Sequence, residues 1–275
     1  MPRSSKKKKK SSTELAEASE LSALNPLRTG MPAMDSIISI KPLESSEAAA
    51  MAESLEVPRF RIIRTNEVDA YEKAATSMET LDAALAEAAP VGDNFKGTAR
   101  KAAKLSIANA PTKTFTDLKN LISSLPSHED MVALKIKTTA TSDRVAQEKR
   151  NVRGKVFLYA ASREDDNDFH LILGRDPDSS PEVYMTMELS GLPPDNKPSF
   201  EKLNAARDAF KAFFGGDLPG VSYDFYDPPI PVKIEGSLFW DASHAKGSRP
   251  GPKSLKSRMP VVWEIHPITK ITFNP

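Results

Sequence analysis

The sequence predicts an α+β protein: a disordered N-terminal tail, a small helical region, and a C-terminal five-stranded OB-like β-barrel with one helix between strands three and four. Three observations predict it. The first 56 residues hold no aromatic residue and place six of their eight basic residues in the first ten positions. Runs rich in Ala, Leu and Glu with helical start and stop signals follow. Toward the C-terminus the pattern becomes short apolar runs separated by Gly, Pro and Asp clusters, which is how strands and turns read. The boundaries are 1–56 for the tail, 57–130 for the helical region and 131–275 for the barrel.

Composition narrows the chemistry. The chain has 275 residues, 38 Lys plus Arg against 37 Asp plus Glu, a net charge of +1 and no Cys. Without Cys there are no disulfides, thiolate zinc sites, iron–sulfur ligands or Cys nucleophiles. A nearly neutral chain attracts nucleic acid only through local patches. The hydrophobic fraction of 39% is below the ~45–50% of an average globular domain, a figure that also counts Gly; a tail without a core accounts for the difference. The basic start Lys6–Lys10 is followed by Ser11-Ser12-Thr13-Glu14, not by the roughly 7–15 apolar residues of an export signal. No run approaches the ~20 apolar residues of a spanning helix. A cytoplasmic location with no membrane partner is expected.

The tail buries too little apolar area to offset its ordering entropy, and its lysine run is a candidate anchor for nucleic acid or an import signal. In the helical region, Phe60–Arg64 reads as a short strand. Asn66 then caps a helix from Glu67 to Ala89, which Pro90 stops. A second helix is expected over Thr98–Ile107, with Arg100, Lys101 and Lys104 as a basic face. A third starts at Thr116 or Asp117 and ends before Pro126. His128, in a turn, reads as a surface residue.

In the barrel, strand one runs from Gly154 to Ala161, with Val132–Thr138 as an extra strand or its first half. Asp165-Asp166-Asn167 turns the chain into strand two, Phe169–Gly174, and strand three is Val183–Leu189. Ser199 caps a helix over Phe200–Phe214, whose Phe200, Leu203, Ala206, Phe210 and Phe213 recur near helical spacing, and Gly215-Gly216 ends it. Tyr223–Pro229 reads as an aromatic, acidic cover that leads into strand four, Val232–Trp240. Strand five is Val262–Phe273, bent at Pro267 because proline cannot donate to the ladder. The order β-β-β-α-β-β is that of an OB-fold barrel.

Three of the four histidines lie in the C-terminal region, each with a carboxylate close by: Asp168/His170, Asp241/His244 and Glu264/His266. An i, i+2 spacing on a strand puts both side chains on one face, so Glu264 and His266 project together, and Glu188 on strand three approaches the same surface. Imidazole with carboxylate supports three chemistries: a divalent-metal site with His170, Glu188, Glu264 and His266 as ligands, general base catalysis with Asp241 or His244 as base or orienter, or hydrogen bonding at strand ends. A divalent metal is the one cofactor candidate.

The blocks Asp168–Leu173, Met187–Leu189, Phe239–His244 and Trp263–Ile268 resemble those of an uncharacterised bacterial family with a D-x-H-L-V strand, a later Glu, an F-F-D-x-x-H-G segment and an E-L-H-P-V strand. The likeness covers about 120 C-terminal residues, with Ala245 where that family has Gly. It implies that the His/carboxylate residues form one set; it implies no reaction.

The connection between strands four and five carries Lys246, Arg249, Lys253, Lys256 and Arg258 and no acid. In an OB-like barrel this loop flanks the ligand face. Its cations would track phosphates, while Tyr159 and Tyr184 offer stacking surfaces. Three functions follow. The first expectation is a non-catalytic module binding single-stranded nucleic acid. The alternatives are a metal-dependent phosphodiesterase or nuclease, and an interaction scaffold for a protein partner.

Overall fold

The computed structural model describes residues 36–39, 60–68, 92–242, 244–246, 250–255 and 258–275. The lysine run, most of the tail and nearly all of the helix expected over 67–89 lie outside the described residues. One part of the tail does not follow its expectation: Ser36–Ser39 form strand β1, which pairs antiparallel with β2, Arg61–Arg64. Two adjacent β-branched isoleucines, flanked by serines, suit a pleated strand.

Among the described residues, the helical region is sparser than its composition predicts. α1 spans only Lys101–Lys104. Arg100 ahead of it has a left-handed backbone, φ 50°, which a helix of L-residues does not continue through. A short strand β3, Thr112–Thr114, follows. α2, Leu118–Ser123, starts where expected, with the Asp117 side chain accepting the Lys119 N–H at 2.7 Å. α3, His128–Ala133, occupies part of the stretch read as a possible extra strand, and exposed His128 is its first residue. The reason is local: Ser127 and Asp130 form a reciprocal capping box, which commits the next residues to a helix.

The C-terminal elements follow the expected order. They are β4 (Asn151–Arg163), β5 (Phe169–Gly174), β6 (Tyr184–Leu189), α4 (Phe200–Phe214), β7 (Asp224–Trp240) and β8 (Trp263–Phe273). β4 and β7 exceed their expected lengths. β7 absorbs the aromatic segment read as a cover, and Phe225 and Tyr226 are fully buried. Pro228 and Pro229 sit where its register against β4 jumps, from Leu158–Ile230 to Ala160–Phe225, so their missing N–H groups fall where the ladder is already broken.

The strands make one mixed sheet in the order β1-β2-β7-β8-β6-β5-β4-β3, and β7 also pairs β4. Five of them therefore close a ring: β4–β5, β5–β6, β6–β8, β8–β7 and β7–β4. Only β6–β8 is parallel within the ring. α4 buries Ala206, Phe210 and Phe214 against the main core and Leu203 against Phe95, Leu105 and Leu192. Ser199 holds the position before it but does not cap it; its hydroxyl donates instead to the Leu105 carbonyl at 2.6 Å. Among the described residues no helix is long and apolar enough to cross a membrane.

Candidate metal centre

The ring's register gathers ionisable side chains at the end where β4, β6 and β7 finish and β5 and β8 begin. His170 lies directly across from Glu188, and Thr186, two residues before Glu188, lies across from Glu264. Period-two alternation puts Glu188, Glu264 and His266 on one face, as the sequence predicts, while Ile265 turns into the apolar core. The β7–β8 ladder shifts register around Gly236. A Cβ on Gly236 would stand 2.5 Å from the Pro267 carbonyl oxygen, so glycine permits the close approach that lets β8 bulge at His266 and Pro267. Arg144 holds this bend from behind, donating to the His266, Leu238, Ala103 and Ser106 carbonyls at 2.6–2.8 Å.

The groups converge. His266 Nδ1 is 3.2 Å from Glu188 Oε2 and 3.5 Å from Glu264 Oε2, and its Nε2 is 3.4 Å from Asp168 Oδ2. His170 Nδ1 contacts Glu164, and His244 Nδ1 contacts Asp241. Lys104 reaches in from the end of α1, 3.4 Å from Asp166 and 3.8 Å from Asp168. Asp168 is anchored by the Gly191 N–H at 2.6 Å. Asp168, His170, Glu188, Glu264 and His266 are buried; Glu164 and His244, with side chains 17% and 12% exposed, connect the cluster to solvent.

Burial sets the electrostatics. It pushes the Asp168 carboxyl up to about 8, helped by Asp166. It holds Glu188 well above the ordinary carboxyl range, reinforced by Glu264, and Glu264 likewise, reinforced by Asp241. Burial, with Lys104 and Arg144 nearby, holds the His266 imidazole well below its ordinary value. For Lys104, burial opposes the charge, but Glu188, Asp166, Asp168 and Asp241 outweigh it and keep the ammonium ionised. The Asp168 and Glu188 carboxyls bond to each other, while both nitrogens of His266 and both carboxylate oxygens of Glu264 are buried without a hydrogen-bond partner. Such groups ordinarily cost about 1–3 kcal/mol each, more when charged.

Among the described residues, three sets of three side chains could hold a metal ion: Glu164/His170/Glu188, Asp168/Glu188/His266 and Asp241/His244/Glu264. In each, one ligand atom per residue lies within 4.8 Å of the others. Ligands ~2.0–2.2 Å from a common ion stand roughly 3–4.4 Å apart, so small side-chain adjustments close these sets.

Every metal and catalytic candidate read from the sequence, His170, Glu188, Glu264, His266, Asp241 and His244, thus comes to one end of the ring. Glu164 and Lys104 were missed as members. Glu164 sits in an acidic turn, where a carboxylate reads as solvated; no local signal marks Lys104, which arrives from a distant segment. Arg100, expected on a basic face, is buried and paired with both oxygens of Glu148 at 2.6 and 2.7 Å.

The expected nucleic-acid surface fares differently. Tyr159 and Tyr184 are buried and packed edge to face at 4.8 Å, so neither presents a ring for stacking. Their side of the strands faces other side chains, a fact that alternation alone does not reveal when both faces are covered. Arg258 pairs with Glu182 at 2.7 Å, and Lys253 is exposed. Lys246 lies on a single 3-10 turn, His244–Lys246, its side chain outside the described residues, as are Arg249 and Lys256. Compared with known proteins, the chain matches no family model, no curated protein and no solved structure.

Proposed function

We propose that this chain is a divalent-metal-dependent hydrolase of phosphodiesters, built on an OB-like ring, with its centre at the His/carboxylate cluster. One observation carries the reading: His266 lies within 3.5 Å of both Glu188 and Glu264, and both ring nitrogens of His266 and both oxygens of Glu264 are buried without a hydrogen bond. A buried neutral imidazole between carboxylates is the donor set that divalent zinc or manganese takes. A cation there would lower the pKa of bound water toward neutrality. Water oxygen would then add to phosphorus, one P–O ester bond would break, and the water proton would pass to the leaving alkoxide. Lys104 at the cluster supplies a fixed positive charge for the phosphate. The resemblance to the bacterial family agrees with treating the residues as one set.

The experiment is turnover of bis(p-nitrophenyl) phosphate and of a single-stranded oligonucleotide with Mn²⁺, Mg²⁺ or Zn²⁺. Turnover that chelator abolishes, reduced at least about 100-fold in His266→Ala with the variant still folded, is expected for a group this close to the chemistry. Absence of turnover with all three ions ends the proposal.

A second reading, non-catalytic binding of nucleic acid, has a specific observation of its own. Lys155 lies directly across from Lys233 on β4 and β7. Like charges so placed repel. Lys233 also lines, with Arg153, Glu235, Lys270 and Thr272, an open cavity of about 370 Å³. A phosphate backbone would relieve that repulsion. Salt-sensitive oligonucleotide binding that persists in chelator without cleavage supports this reading over the first.

A further inference from the structure

We infer that the cluster is a binuclear centre, one divalent cation at Glu164/His170/Glu188 and a second at Asp241/His244/Glu264, with His266 between them. The inference rests on the metal reading above and adds the number of ions and their places.

Three observations carry it. First, the two outer sets share no residue, and each consists of one histidine and two carboxylates. Each also has one partly exposed member, Glu164 or His244, so each has its own route to solvent. Second, His266 Nδ1 touches the innermost carboxylate of both sets, Glu188 at 3.2 Å and Glu264 at 3.5 Å. It therefore joins the sets through the two residues best placed to bridge ions, and Glu188 also belongs to the middle set with Asp168. Third, six carboxyl groups gather here: Asp166 and Asp168 besides the four in the outer sets. Among the described residues the side-chain cation beside them is Lys104. Carboxyls release their protons when they bind a metal, and two divalent cations offset that charge in a buried site better than one does. In two-ion centres the attacking and leaving oxygens of an in-line displacement are stabilised together, which suits the phosphodiester chemistry proposed.

The test is Mn²⁺ binding to the full chain, stripped with chelator and dialysed, by equilibrium dialysis and electron paramagnetic resonance. Two ions per chain with an exchange-coupled spectrum are expected. The variants Glu164→Gln and His244→Ala each change one outer set; each is expected to bind one ion, with the uncoupled spectrum of isolated Mn²⁺. Near-native circular dichroism separates loss of an ion from loss of fold, and the wild-type count stands whether or not the variants fold. One ion per wild-type chain overturns the binuclear centre but leaves the metal reading intact. No bound ion overturns both. Two ions with no coupling, or two ions in both variants, overturn the placement.

Discussion

Two clusters of charged side chains lie side by side in this protein, and they differ in how completely they are satisfied. In the first, Arg100 and Glu148 are both buried, and both oxygens of Glu148 and both terminal nitrogens of Arg100 are matched, only the Arg100 Nε being left over. Oε1 accepts from Arg100 at 2.6 Å and from the Trp240 N–H at 2.9 Å; Oε2 accepts from Arg100 at 2.7 Å and from the Val145 N–H at 2.9 Å. In the second, Glu264 and His266 are equally buried and yet no oxygen or ring nitrogen of theirs is hydrogen-bonded. Phe239 touches both clusters, with the Arg100 guanidinium 4.6 Å and the His266 ring 5.3 Å from its ring centre. Burial of charge is therefore common to both. What separates a structural ion pair from a binding centre is the unmatched valence left over after the protein has made its own bonds.

That contrast can be broken by mutation. The largest effect is expected for Glu148→Ala, which strands the Arg100 charge inside. It should lower the unfolding free energy by about 3–5 kcal/mol in urea titrations. A loss under about 1 kcal/mol would mean that the pair is not the structural one.

Glu188→Gln should act in the opposite direction. In chelator at pH 8 it removes a carboxyl that burial and Glu264 disfavour in the charged form, for a gain on the order of 1–3 kcal/mol. With Mn²⁺ at saturation the order should reverse, because the variant has lost a ligand. A destabilised Glu188→Gln in chelator would erase the distinction between the clusters.

The smallest effect is the pH dependence of the metal-free protein. Asp168, Glu188 and Glu264 have raised pKa values when folded. The folded chain thus keeps protons that the unfolded chain releases above about pH 4, and stability falls as pH rises, for Asp168 up to about 8. His266 is depressed and acts the other way, but only below about pH 6.5, where the unfolded imidazole gains a proton. Between about pH 6.5 and 8 only the carboxyls act. Denaturation at fixed chelator should show a fall of roughly 1–2 kcal/mol over that interval from the Asp168 proton alone. A flat profile would place these carboxyls in an ordinary solvated setting.

The same division runs through what could be read before any coordinates. β5 and α4 were legible to the residue, because the turn at Asp165–Asn167, the stripe Leu203, Ala206, Phe210 and the stop at Gly215 are all local signals. Glu264 and His266 were legible as neighbours for the same reason. The short α1 was not, since Arg100 breaks the helix there to reach a Glu148 that lies 48 positions away. Tyr159 and Tyr184 were misjudged because both faces of their strands are covered. β1 was missed because two isoleucines in a polar tail carry little weight until a partner strand exists for them.

Residue order alone determined the α+β character, the succession of strands around one helix, and that Glu264 and His266 share a face, since these depend on periods of 2 and 3.6 residues and on nearby glycine and proline. Tertiary structure alone decided that β8 runs beside β6, that Lys104 and Glu164 join the set, and that Arg100 leaves the surface. Those outcomes turn on contacts between segments far apart in the chain, where ring closure and the desolvation of charge outweigh any local preference.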